Sequence, residues 1–484
     1  MAGQHQARRT RKTVPPLSTV AIIGGGISGL AAAKQLARHD PVVFEATPSV
    51  GGVWQHCVYH STRLQTPRQN FRFSDYPWSD PDGPTFPAHD EVIGYLEGYA
   101  DRFDLWRFIM LGTKVVAVNF LGGGAADGGT GTRPLNGDPM WEVGVATEGS
   151  DTIQWYKFEF VVMCTGKYGD VPRMPALPPG KGPELVTGKK VVVVGYRKSA
   201  VDLALECAPY AGKGGGTCTM VVRTPQWMLP SYSIWGLPFF LFYSTRFSQL
   251  LYDRPNQGLL RWILCRLMAP LSYLTWKLPL SKYGLKPPHP FLESYASCQM
   301  AILPDGFFEM ADQGLIRFER ASSWCFSEDG VVLEDGTEVE ADLVFLATGF
   351  EGLDKLRAVL PEPFRCLIVN KSGMMPLYRG TIHPLIPGMA FVGYVESVSN
   401  LHTSELRCRW LAGLLEGRFA LPGVEEMLGH VDSEAEAMRL TTRFYRRHCI
   451  STFSIHDSDS MVYRKGSWLA EFFSPYNNQD YKEE

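Results

Sequence analysis

The sequence predicts an α/β fold in which two strand–turn–helix–strand units, each turned by glycine, build separate parallel sheets, the second unit interrupting the first. Three observations carry this. Thr19–Ile23 (TVAII) runs straight into Gly24-Gly25-Gly26 and then into a helix-forming stretch. Lys189–Val194 leads in the same way through Gly195 into a second such stretch. At 484 residues the chain is also too long for one ordinary domain.

Residues 1–17 are polar and basic, with Arg8, Arg9, Arg11 and Lys12, and read as a disordered arm without a secretion signal. Thr19–Ile23 lacks polar alternation, as expected of a parallel strand buried on both faces. LAAAKQLARHD follows as a helix ending near His39, and Val42–Phe44 is a second strand ending at Glu45. Strand-like stretches at Lys114–Phe120, Met140–Ala146 and Tyr156–Met163 come next, the first joint between them being a glycine-rich hairpin tip.

The second unit has the strand Val191–Val194, the turn Gly195-Tyr196-Arg197-Lys198-Ser199-Ala200, the helix VDLALECA and the strand Thr219–Val222, ending at Arg223. Residues 233–300 form an apolar, aromatic, partly helical insertion. It reads as a lid or tunnel over the site or as a subdomain packed on itself, with contact to a membrane surface a further reading. Its longest apolar run, Ile234–Tyr243, is only 10 residues and holds a proline, so no transmembrane segment is expected. Phe345–Thr348 (FLAT) is another buried strand, and the C-terminal stretch reads as peripheral helices. The expected boundaries are therefore 18–185 for the first part of one domain, 186–330 for the inserted domain, and 331–484 for the remainder.

Composition narrows the function. Hydrophobic residues at 45% and charged residues at 20% suit sizeable buried cores. A net charge of −3 argues against nucleic-acid binding, which needs clustered basic surface. The 10 cysteines show no C-x-x-C spacing, which fits reduced thiols in a cytoplasmic protein and argues against a redox disulfide pair.

The glycine turns carry the chemistry. Gly24-x-Gly26-x-x-Gly29 follows a strand and opens a helix at Ile27 and Ser28. The first glycine allows a tight turn, the second lets backbone amides approach a pyrophosphate, and the third lets helix pack on strand. Gly25 lies inside the turn, and Glu45, 21 positions after Gly24, is placed to accept hydrogen bonds from ribose hydroxyls. This site suits FAD. In the second turn Arg197 replaces the middle glycine and Ala200 the third, and the next strand ends in Arg223 rather than an acid. An arginine there grips a 2′-phosphate that a carboxylate would repel, so this unit suits NADPH, with Arg197 and Lys198 assisting. The fold expected is two Rossmann-like dinucleotide-binding domains, with hydride passing from nicotinamide to flavin.

With these residues in view, the chain resembles the flavin-containing monooxygenase family from about Thr19 to Pro422. The resemblance rests on GGGISG (Gly24–Gly29), FEA with GGVW (Gly51–Trp54), LQTPR (Leu64–Arg68), FSDYPW (Phe73–Trp78), GYRKSA (Gly195–Ala200) and FLATGF (Phe345–Phe350). NLHTSELRCRW (Asn400–Trp410) and KSAVDLALE look most like the plant branch that N-hydroxylates pipecolic acid in immune signalling. The resemblance implies an NADPH-dependent monooxygenase. It would use O2, hold a C4a-hydroperoxyflavin and deliver one oxygen atom to a small amine or sulfur nucleophile. It also implies that Val53 and Trp54 border the flavin and that Gln65 and Thr66 sit near the flavin–nicotinamide junction. Animal members have Asn where this chain has Gln65. A helix starting by Thr403, after Gly393, would present its N-terminus to reduced flavin.

One departure stands out. The family's F-x-G-x-x-x-H segment, expected just before the NADPH turn, is absent, and only 25 positions separate Gly166 from Val191. A catalytically impaired, cofactor-binding protein is therefore a rival reading, and an auxin-type flavin monooxygenase is another. His56 and His60 are four apart but lack the further ligands a metal site needs, so no metal is expected.

Overall fold

The computed structural model describes residues 10–168, 185–231, 278–291, 301–441 and 466–474, with gaps within 11–16, 81–84, 123–136, 148–151, 370–374 and 395–398 and at 351, plus isolated residues between 233 and 294. The readings of a disordered arm, a glycine-rich hairpin tip and an aromatic lid fall largely outside the described residues, as does the stretch 169–184 where the missing segment is expected.

The first sheet is assembled from β1 (Leu17–Ile23), β2 (Val42–Phe44), β3 (Ile109–Met110), β4 (Thr113–Phe120), β5 (Trp141–Thr147), β6 (Gln154–Met163) and β18 (Met389–Phe391). Among the described residues its order is β3-β2-β1-β6-β5-β4, with β18 also paired to β6. β1 runs parallel to β2 on one side and to β6 on the other. Both of its faces are covered, which is why TVAII shows no polar alternation. Val20 and Ile22 enter one core with α1 (Ile27–Gln35), α3 (His89–Arg102) and α8 (Asn400–Leu415). Ala21 and Ile23 enter a second core with Trp141, Phe158, Leu356 and Phe364, the last two from α6 (Asp354–Val359) and α7 (Phe364–Ile368). Ala31, Ala32 and Ala33 are fully buried, and their small side chains let α1 lie close on the sheet.

The second sheet repeats the device. β7 (Val191–Val194), β8 (Cys218–Val222), β13 (Ile316–Arg320) and β17 (Leu343–Leu346) form a parallel sheet in the order β13-β8-β7-β17. Val191 and Val193 join the core under α4 (Lys198–Lys213) and α5 (Phe307–Asp312), while Val192 and Val194 join another with Val331 and Leu333. Those last residues belong to the antiparallel meander β14 (Trp324–Ser327), β15 (Gly330–Leu333) and β16 (Glu338–Glu340). Short pairs complete the unit, β9 (Met228–Leu229) with β12 (Ala301–Ile302) and β10 (Ser233–Ile234) with β11 (Leu237–Pro238).

The second sheet draws on residues beyond 330, because the meander covers one of its faces and β17 pairs with β7 from Leu343↔Val191 to Leu346↔Val194. One difference is local: α4 runs on through Pro209, where the sequence suggested an end at Ala208. An interior proline costs a helix about 3 kcal/mol, and the fully buried Ala208 and Ala211 on either side of Pro209 hold this turn in the domain core. α8 begins at Asn400, capped by Ser399, so the helix is under way by Thr403. Among the described residues, no helix is long and apolar enough to cross a membrane. Further helices are α2 (Val53–His56), α9 (Val424–Thr441) and α10 (Trp468–Phe473).

Candidate active site

Each sheet ends in a glycine turn pressed against a neighbouring strand. Gly24 sits at φ +109°, and a Cβ built there falls 2.6 Å from the Cys164 carbonyl oxygen at the end of β6. Gly195 sits at φ +137°, and a Cβ there falls 2.4 Å from the Ala347 carbonyl oxygen just past β17. Both φ values lie where side chains are disfavoured, so each turn needs its first glycine for two independent reasons. Cys164 and Ala347 are each followed by Thr-Gly, with Gly166 at φ +66° and Gly349 at φ +97°. The two crossings between the domains are thus built alike.

In the first turn, a Cβ at Gly29 would lie 1.8 Å from the Gly24 carbonyl oxygen, so no other residue lets α1 pack this closely. Gly26 differs: its nearest neighbour is the Gly52 Cα, at 3.7 Å from a built Cβ. Here glycine serves close approach rather than packing. Gly25 donates its amide to Glu45 Oε2 at 2.6 Å, while Thr47 donates its amide and its hydroxyl to Glu45 Oε1 at 2.9 and 2.7 Å. These bonds hold the buried carboxylate at the end of β2, facing the turn. Ile27 packs against the helix-side core, and Ser28 Oγ lies 2.9 Å from Ser404 Oγ, fastening α1 to α8.

The Gly51–Gly52 turn closes over this one, with the Gly51 amide donating to the Gly25 carbonyl at 3.1 Å. It brings Val53 and Trp54, both half-buried, to the start of α2. The Trp54 ring meets Phe71 edge-on at 6.2 Å, so it also serves the core. Trp78 is anchored by its indole N–H to the carbonyls of Arg68 and Phe71, at 2.9 and 3.0 Å. The cradle is lined by backbone, opens a nine-residue helix and has an acid at the neighbouring strand end, the donor and acceptor set a dinucleotide requires.

In the second turn Ala200 is fully buried, and its Cβ is 3.4 Å from the Cβ built on Gly195, so a small side chain suits this place. Arg197 is exposed, which leaves the approach to the backbone clear. Tyr196 is buried in the domain core, and its hydroxyl has no hydrogen-bond partner among the described residues. Ser199 is exposed in the first turn of α4. Lys198 is engaged, with Nζ 2.7 Å from Asp202 Oδ1. Arg223 follows β8 and is exposed.

The structure also brings together residues that the sequence did not single out. Tyr59 donates its hydroxyl to Asp202 Oδ2 at 2.7 Å, and the Ser61 amide donates to Glu206 Oε1 at 2.6 Å. Gln65 is part of the same junction, its Oε1 accepting from the Ile302 amide at 3.1 Å, with Thr66 buried beside it. These contacts join the loop after α2 in the first domain to α4 and β12 in the second. Burial raises the pKa of both Tyr59 and Asp202, and for Asp202 it outweighs the lowering by the Lys198 ammonium. A buried acid in an otherwise apolar helix face, four residues after a lysine, is the signal that marks Asp202. A second buried acid, Glu405, accepts the Ser74 amide at 3.0 Å and the Ser74 hydroxyl at 2.6 Å, fixing α8 to the Phe73–Trp78 loop.

Two dinucleotide turns, the first on the parallel strands of a mixed sheet and the second on a parallel sheet, define the class of flavoprotein oxidoreductases with two nucleotide domains. The family model described as flavin-binding monooxygenase-like matches residues 18–466, and the chain belongs to that family. It is 54% identical over 509 aligned positions to "Probable flavin-containing monooxygenase 1" of Arabidopsis thaliana, covering 96% of each chain. It is 49% identical to "Putative flavin-containing monooxygenase 2" of the same plant, covering 92% of this chain and 96% of the other. Its fold is similar to the open crystal structure of cyclohexanone monooxygenase, with a TM-score of 0.65 at 19% identity, covering 92% of this chain and 98% of that one. The protein is thus a flavin-binding monooxygenase-like enzyme.

Proposed function

We propose that this enzyme reduces FAD with NADPH and transfers one oxygen atom from O2 to a soft nitrogen or sulfur atom of a small molecule, cyclic amino acids such as pipecolic acid being the first class to test. The observation that carries the reading is the paired turn geometry, Gly24 against Cys164 and Gly195 against Ala347, with Glu45 at one strand end and Arg223 at the other. The flavin supplies the redox chemistry when bound. The chain's own residues hold and orient: Gly24–Gly29 receive the pyrophosphate of FAD, Glu45 its ribose, and Arg223 the 2′-phosphate of NADPH. Val53, Trp54, Gln65 and Thr66 border the region between the rings. The α8 N-terminus, capped by Ser399, is oriented to favour negative charge. We place the protein in the cytoplasm.

A second reading has its own support. The alignment with the 54%-identical relative runs over 509 positions, more than the 484 residues of this chain, so the relative carries residues that this one lacks. A shortened crossing between Gly166 and Val191 would let both cofactors bind while misplacing the rings, and small misplacements slow transfer steeply. Anaerobic stopped-flow mixing with NADPH separates the two readings. Rapid bleaching of the flavin supports the enzyme, and bound flavin that stays oxidised supports the impaired form. Admitting O2 with a panel of cyclic amino acids, tertiary amines and thioethers then reads out the substrate class.

A further inference from the structure

We propose that Tyr59 and Asp202 form a latch that sets the NADPH domain against the FAD domain, and that both are positioning residues for hydride transfer; this rests on the reading above. Asp202 lies in α4, one turn after Lys198, and is 3% exposed. One carboxylate oxygen takes the Lys198 ammonium of the second domain, and the other takes the Tyr59 hydroxyl of the first, each at 2.7 Å. A single buried carboxylate therefore joins the cofactor-facing turn of one domain to a loop of the other.

The arrangement is directional. Tyr59 lies three residues after α2, whose first residues Val53 and Trp54 follow the Gly51–Gly52 turn against Gly25. Lys198 and Asp202 begin the helix that leaves the Gly195 turn. The latch thus joins the loop after the helix that follows the Gly51–Gly52 turn to the helix that leaves the Gly195 turn. Two flanking bonds set its angle, the Ser61 amide to Glu206 at 2.6 Å and the Ile302 amide to Gln65 at 3.1 Å. A buried carboxylate with two part-buried donors resists bending more than an exposed ion pair, because breaking either bond leaves the buried carboxylate short of a partner.

The test uses full-length holoenzyme with two near-isosteric changes, Tyr59→Phe and Asp202→Asn, each checked for retained FAD and unchanged circular dichroism. Hydrogen exchange followed by mass spectrometry reads the latch directly. Peptides holding the Ser61 and Ile302 amides should exchange at least about tenfold faster in Tyr59→Phe, whether or not the enzyme turns over. Anaerobic reduction at saturating NADPH should slow roughly 10- to 100-fold, while reduction by dithionite, which needs no domain alignment, should match wild type. Wild-type exchange in both variants overturns the latch. Faster exchange with wild-type reduction by NADPH overturns the positioning role. A wild-type protein that NADPH does not reduce fails the functional reading instead, and the exchange result still decides the latch.

Discussion

The amide of Gly25 donates to Glu45 Oε2 at 2.6 Å, so the acid at the end of β2 is built into the glycine turn it faces. With Thr47 occupying the other oxygen, the carboxylate is oriented before any ligand arrives. Glu45→Ala should lower FAD affinity by about 1.5–3 kcal/mol, the range for a hydrogen bond to a charged group. Titrating apoprotein with FAD and following flavin fluorescence checks this. An affinity within twofold of wild type would remove Glu45 from the site.

Gly29→Ala should be among the most damaging single changes in the first domain. Its methyl group would meet the Gly24 carbonyl oxygen, which cannot move without breaking the turn. Overpacking against backbone should cost about 3 kcal/mol or more, seen as a lower Tm and loss of bound flavin. Gly195→Ala meets Ala347 in the same way but in the second domain. It should weaken NADPH binding while leaving the protein yellow.

Arg223→Ala should separate the two nicotinamide cofactors. Loss of a charge-assisted grip on the 2′-phosphate should cost about 2 kcal/mol, roughly 30-fold in the KM for NADPH. The KM for NADH should change less than twofold. Equal losses on both cofactors would place the arginine elsewhere.

Acid should unfold the protein partly through His383. Burial pushes this imidazole from the usual 6.5 down to about 4, and its Nδ1 accepts the Leu385 amide at 3.1 Å. The unfolded chain takes up a proton near pH 6.5 that the folded protein refuses until about pH 4. Stability from this group is therefore complete above pH 6.5 and is lost as pH falls, by about 3 kcal/mol at pH 4. His383→Asn keeps an acceptor but cannot titrate, so its Tm should fall less between pH 7.5 and 5 than that of wild type. Parallel pH profiles would refute this.

What the chain of residues determined unaided was whatever depends on local stereochemistry. The runs TVAII and VVVV, the glycine spacing from Gly24 to Gly29 and the acid at Glu45 announce strand, turn and helix, because φ > 0 and close backbone approach admit few other residues. What only tertiary structure decided depends on groups distant in sequence. The i,i+4 spacing in KSAVDLALE allows Lys198 to pair with Asp202, but nothing in it indicates that Asp202 meets Tyr59, 143 positions away. The meander beyond residue 330 joined the second domain for the same kind of reason: Val331 and Leu333 had to cover Val192 and Val194. Burial and pairing between remote segments are settled by which surfaces can exclude water together, and a linear pattern shows only that a residue wants a partner.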